Sequence, residues 1–130
     1  MSIPVELQSL ASVIERYRFA YLMTSGDKGA PHAVQVAAAL RGDELVVDGV
    51  GRRTRENALA RPAVGMLWPP QAEGDYSLIV DGRAAVDGKS MRIAPTRAVL
   101  HRPSPAPGPD ASGKCGSDCV ELGLGSPSAL

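Results

Sequence analysis

The chain has 130 residues and a mass of 13.6 kDa, the size of one domain with no room for a second core. Lysine plus arginine and aspartate plus glutamate each total 14, so the formal net charge is zero. That balance argues against a dedicated nucleic-acid or anionic-membrane binder, whose affinity comes from surplus positive charge. Apolar residues make up 44% but aromatics only 4%, so the core must be built from Val, Leu, Ile and Ala. No run approaches the roughly 18 apolar residues of a membrane span. The start, MSIPVELQ, has neither the basic residues nor the apolar stretch of a signal peptide. The expectation is a soluble, cytoplasmic protein with no nucleic-acid or membrane partner.

Ile3, Leu7, Leu10, Ile14 and Tyr17 recur at steps of four, three, four and three, one stripe of an amphipathic helix. Short apolar runs follow: Phe19 to Ser25, His32 to Leu40, Glu44 to Val50, Ala63 to Trp68, Tyr76 to Val86 and Met91 to His101. Glycine-containing turns separate most of them, with Asp87-Gly88 the strongest hairpin signal. Six closely spaced strands predict a mainly antiparallel β-barrel, since closure removes exposed sheet edges. Gly82 and Pro95 lie inside strands, where each marks a bend or bulge.

Only Gly51 to Pro62, GRRTRENALARP, departs from this rhythm. Arg52, Arg53, Arg55 and Arg61 stand against the single acid Glu56, a local charge of +3 in a neutral chain. Thr54 suits an N-cap, and Pro62 stops a helix of about two turns. Guanidinium groups and free backbone N–H groups at a helix start are what a phosphate requires. A solvated surface helix explains the same charges equally well. No Walker or dinucleotide fingerprint occurs.

From Pro103 the chain changes character. Five of the eleven prolines fall between Pro95 and Pro109, and the segment is too poor in apolar residues to offset its ordering entropy. The domain is therefore expected over residues 1–103, followed by a flexible Pro/Gly-rich tail over 104–130. The tail holds both cysteines, Cys115 and Cys119. Two thiols with Asp118 fall short of the four ligands of a structural zinc site, so no metal is expected, and free thiols, a local disulfide and a redox pair all remain open. His32 fits a half-exposed strand end and His101 an exposed one. Trp68 and Tyr76 fit core or interface anchors.

The succession TSGDKGAPHAVQV, ELVVDGVGRRTRENALARPAVGMLW and SLIVDGRAAV resembles the pyridoxamine 5'-phosphate oxidase-like family of flavin-binding split barrels, over about Tyr17 to Arg102. The resemblance rests on the order and spacing of these elements, each loose by itself. It implies a six-stranded antiparallel split barrel with an N-terminal helix and one short helix between strands. It also implies a homodimer with FMN between the subunits. Carried over residue by residue, Val34, Gln35 and Val36 would lie beside the flavin ring, and Asp48, Gly49 and Val50 near the ring and ribityl chain. Arg52, Arg53, Thr54 and Arg55 would hold the phosphate. Thr54 stands where the family often has lysine. The tail lacks the Arg- and His-rich segment of the pyridoxine-biosynthetic members, so vitamin B6 synthesis is not expected. The implied activity is hydride transfer between the flavin and a small-molecule substrate. A deazaflavin coenzyme is the alternative cofactor, and a non-catalytic flavin- or haem-binding protein the alternative function.

Overall fold

The computed structural model describes residues 2–104 and 117–119. Nine strands and two α-helices occur among them: β1 (Ser2–Pro4), α1 (Leu10–Ile14), β2 (Ala20–Ser25), β3 (Pro31–Val36), β4 (Ala38–Arg41), β5 (Glu44–Val47), α2 (Arg52–Ala60), β6 (Ala63–Trp68), β7 (Ser77–Asp87), β8 (Ser90–Pro103) and β9 (Ser117–Cys119). One antiparallel sheet takes in every strand. Seven follow the path β3-β2-β6-β7-β8-β5-β4, and β1 and β9 add to β8.

The strands form where side chains alternate between core and surface, as a two-residue period requires. Ala20, Leu22 and Thr24 of β2 are buried, as are Val64, Met66 and Trp68 of β6 and Leu45 and Val47 of β5. With Leu78, Val80, Met91 and Ile93 they make an aliphatic core, in which Trp68 is the only buried aromatic among the described residues. Trp68 is thus a core anchor. Tyr76 is half-buried at the head of β7.

The count of six strands is corrected. The predicted strand from His32 to Leu40 breaks at Ala37 into β3 and β4, which sit at opposite ends of the seven-strand path. One residue separates the two ends of the sheet, so the sheet has to curl until they meet. Asp48, Gly49 and Val50 leave the predicted third strand, and Gly49 takes φ +74°, a left-handed conformation that a regular strand cannot hold.

The N-terminal helix is also shorter than its stripe implied. Ser2–Pro4 pairs with Val99 to His101 of β8, Leu7–Ser9 forms a 3-10 turn, and only Leu10–Ile14 is α-helical. So short a helix gains little from its own hydrogen bonds. Packing holds it, with Leu10 and Val13 buried.

Gly82 and Pro95 are paired at a register shift between β7 and β8, as their positions predicted. A Cβ on Gly82 would lie 2.7 Å from the Ala94 carbonyl oxygen, so the close approach of the two backbones there needs glycine. The backbone of Cys119 lies opposite His101 in β9. Cys115 and most of the Pro/Gly-rich tail lie outside the described residues. No helix among the described residues is long and apolar enough to cross a membrane.

Candidate functional site

The site begins where β3 and β5 part. Ala38 pairs with Val47, but the residues before Ala38 turn away to pair along β2, from Val36–Ala20 to Pro31–Ser25. The residues after Val47 go elsewhere: the Ser90 hydroxyl donates to the Asp48 carboxylate at 2.6 Å, and the Val50 N–H donates to the Lys89 carbonyl at 2.9 Å. Both contacts are with the turn end of the β7–β8 hairpin. The barrel is therefore split, with β3 on one lip and Asp48 to Val50 on the other.

On the first lip, Val34 and Val36 are half-buried and pack against the core, while Gln35 is exposed on the opposite face. On the second, Asp48 and Gly49 are exposed and Val50 is buried. α2 starts directly after it. Its N-cap is Gly51 in an extended conformation, not Thr54, which lies inside the first turn and is buried. The first turn carries no acidic side chain, so the positive end of the helix dipole is left for another anion. Arg55 N–H bonds back to Gly51, leaving the N–H groups of Arg52, Arg53 and Thr54 as the unsatisfied donors of a helix start.

The arginines of this segment are not equivalent. Arg52 pairs with Glu56 at 3.7 Å, an exposed i,i+4 contact of small energetic value. Arg55 Nη1 donates to the Val50 carbonyl at 2.9 Å and so braces the loop that leads into the helix. Arg61 Nε donates to the Ser25 carbonyl at 2.7 Å and ties the end of the helix to β2. Arg53 is exposed and makes no ion pair or side-chain hydrogen bond among the described residues.

Arg53 opens onto a cavity of about 420 Å³ between α2 and the β2–β3 turn, which it shares with His32, Asn57 and Arg61. Asp27 and Glu56 stand at the same cavity, so its charge is mixed. Asn57 is fixed there by a buried hydrogen bond, its Nδ2 donating to Thr24 Oγ1 at 3.0 Å. His32 Nδ1 is shut off from solvent with no hydrogen-bond partner, a costly state for a buried polar atom.

The structure thus brings Arg53 together with the first residues of β3, not with Val34 to Val36, which lie further along the lip. Asp48 and Val50 are held by the β7–β8 hairpin rather than by this cavity. Asn57 and Arg61 stood outside the predicted set. Thr54, Asn57, Ala58 and Arg61 fall at i, i+3, i+4 and i+7, the inward stripe of a helix, which would have flagged a buried asparagine among the charges. Among the described residues no group of three or more His, Cys, Asp and Glu is placed to hold a metal ion.

No family model matches the chain. Two curated relatives, the uncharacterized proteins Mb0449c of Mycobacterium bovis and MT0457 of Mycobacterium tuberculosis, are each 40% identical over 132 residues, covering 89% of this chain and 93% of their own. Several solved structures share the fold. An F420 reductase superposes with a TM-score of 0.58 at 19% identity, over 67% of this chain and 93% of its own. A FAD-binding protein of Mesorhizobium loti gives 0.62 at 16% identity, over 77% and 95%. A Listeria innocua protein described as a candidate pyridoxamine 5'-phosphate oxidase gives 0.60 at 16% identity, over 72% and 96%.

Proposed function

Because the chain belongs to one family with the two mycobacterial proteins and has the split-barrel fold of the pyridoxamine 5'-phosphate oxidase-like proteins, we propose that it is an FMN-binding oxidoreductase. Its reaction is hydride transfer between the flavin and a small-molecule substrate. The observation that carries this reading is the uncommitted Arg53 at the cavity beside the split, next to the free N–H groups of α2.

The residues present fit such a cofactor. Arg53 and the first-turn N–H groups of Arg52, Arg53 and Thr54 offer a phosphate a cation and directed donors. Arg52 joins them at the exchange of its exposed contact with Glu56. Arg55 keeps Asp48 to Val50 in place from below. Val34 and Val36 give the first lip an apolar wall that excludes water, and Gln35 supplies an amide for a polar ring edge. The charge of the missing lysine at Thr54 falls to Arg53, because Arg55 is spent on the Val50 carbonyl. A bound flavin supplies the hydride chemistry itself. The chain contributes binding, orientation and a positive potential that favours a reduced, anionic ring.

A deazaflavin coenzyme is the second cofactor reading, favoured by the likeness to an F420 reductase. The partner is a second copy of the chain. Tyr21 and Leu67 are register neighbours across β2 and β6, half-buried and outside the core cluster, with Ile79 of β7 beside Leu67, and an apolar row of this kind suits an isologous contact.

The absorption spectrum of the purified protein and a titration with FMN test the proposal. Arg53→Ala is expected to weaken FMN by about 10- to 100-fold, the value of one charge-assisted hydrogen bond, and to leave riboflavin, which has no phosphate, within about twofold. Equal weakening of both ligands refutes the phosphate assignment. No binding of FMN or deazaflavin below about millimolar, roughly −4 kcal/mol, refutes the cofactor.

A further inference from the structure

His32 stands at the cavity beside α2 with its ring unpaired. It lies on the face of β3 that also carries Val34 and Val36, and is half-buried as they are. Its register partner across β2 is the buried Thr24, whose hydroxyl oxygen is engaged by Asn57 Nδ2. His32 itself makes no hydrogen bond or ion pair among the described residues. Nδ1 is shut off from solvent, whereas Nε2 is not. Nε2 is therefore the ring nitrogen that a ligand in the cavity can reach.

The fixed charges around the ring come from two elements. α2 brings Arg53, Glu56 and Arg61 to the cavity, and the β2–β3 turn brings Asp27. β2, the strand paired with β3, contributes only the neutral Thr24 and Ser25 there. Two guanidinium groups and two carboxylates cancel. Adding Arg52, which pairs with Glu56 at 3.7 Å, leaves a surplus of one positive charge. A phosphate monoester carries about two negative charges at neutral pH, so the fixed charges fall short of it. The group at this cavity that can add a positive charge between about pH 5 and 8 is an imidazole.

We propose that His32 is a ligand of the cofactor phosphate and takes up a proton as the cofactor binds, so that binding tightens as pH falls. The inference rests on the flavin reading above and names one more residue of that site, with the proton it carries. An opposite charge within roughly 4–6 Å favours the charged form of a titrating group. By linkage the proton on His32 then favours the bound phosphate by the same factor.

The test is the affinity of the full chain for FMN and for riboflavin at pH 8 and pH 6, in the parent and in His32→Gln. Glutamine keeps a neutral N–H on a side chain of similar reach but cannot take up a proton. The variant is expected to bind FMN within about twofold of the parent at pH 8 and about tenfold more weakly at pH 6. The phosphate's own protonation near pH 6 weakens both proteins alike and cancels in that ratio. Riboflavin should bind the two proteins equally at either pH. A second measurement needs no variant: calorimetry of the parent in buffers of different ionisation enthalpy should show proton uptake with FMN and none with riboflavin. If FMN binds and the ratio is the same at both pH values, if binding takes up no proton, or if His32→Gln weakens riboflavin as much as FMN, the role of His32 is overturned while the cofactor reading stands. If FMN does not bind the parent at all, the cofactor reading fails and this inference falls with it.

Discussion

The hydrogen bond between Asn57 and Thr24 should be the most expensive polar contact on α2 to break. Asn57 is 6% and Thr24 3% exposed, and the Nδ2–Oγ1 distance is 3.0 Å. Replacing one partner with an apolar residue of similar shape strands the other away from water, at a cost of about 1–3 kcal/mol. Thr24→Val leaves an amide N–H unpaired and Asn57→Leu leaves a hydroxyl unpaired. Each is expected to lower stability by about 2 kcal/mol, or Tm by about 10 °C for a domain of this size. The double variant removes both polar groups, and it should be less destabilised than the sum of the singles by about 1 kcal/mol or more. Urea unfolding of the four proteins, with slopes compared for two-state behaviour, measures the cycle. Additivity within about 0.5 kcal/mol would refute the reasoning, because it would mean that the two side chains do not depend on each other. The contact bears on the proposed function because it fixes α2 to β2, beside the bond from Arg61 to the Ser25 carbonyl. Through α2 it sets where Arg53 stands.

Other expectations follow from the same structure. Gly82→Ala puts a Cβ 2.7 Å from both the Ala94 carbonyl oxygen and Ile93 Cγ2. Because backbone cannot yield as a side-chain tip can, a loss of about 1–3 kcal/mol is expected in chemical unfolding, and an unchanged midpoint would argue against so tight an approach. Tyr17 donates its hydroxyl to the Tyr76 carbonyl at 2.9 Å, and burial raises its pKa, opposed by Arg16 and assisted by Asp75. A folded pKa above the unfolded one gives a stability contribution that is complete below the ordinary tyrosine value of about 10 and is lost as pH rises through the folded one. Tyr17→Phe should therefore be less stable than the parent at neutral pH, with the gap narrowing in alkaline solution. A gap that is constant with pH would count against the assignment.

Much of this architecture is legible in the sequence, and the misreadings have physical causes. Apolar runs bounded by turn signals mark β2, β5, β6, β7 and β8, because one face of each packs into a common core. Gly82 and Pro95 marked the irregularity because each weakens regular pairing for a local, backbone reason. β1 was hidden because Ile3 fits a helical stripe as well as a strand, and only pairing with β8, nearly a hundred residues away, decides between them. Thr54 was misread as a cap because it is a favoured cap residue, whereas the chain enters the helix three residues earlier at Gly51 in an extended conformation. The relative roles of four arginines could not be read from spacing. Which of them is spent on Val50, on Ser25 or on Glu56 depends on where the helix is docked.

The break at Ala37 links the fold to the site. His32 to Leu40 looks like one strand because apolar residues continue through it, and nothing local requires an interruption. The interruption is global. The same nine residues serve both ends of the sheet, β3 against β2 and β4 against β5, and a single peptide strand joins the two pairings. Where those pairings diverge, the backbone between the lips is left without a neighbouring strand, and the chain emerging from β5 is free to turn into α2. The arginine segment therefore reaches the lip as a consequence of how the sheet curls, and the basic cluster is placed beside this opening between β3 and the end of β5. A substitution that straightened β3 and β4 into continuous pairing would have to displace both the loop at Asp48 to Val50 and the helix that follows. Strand continuity and the observed placement of Arg53 are in that sense alternative arrangements of the same chain.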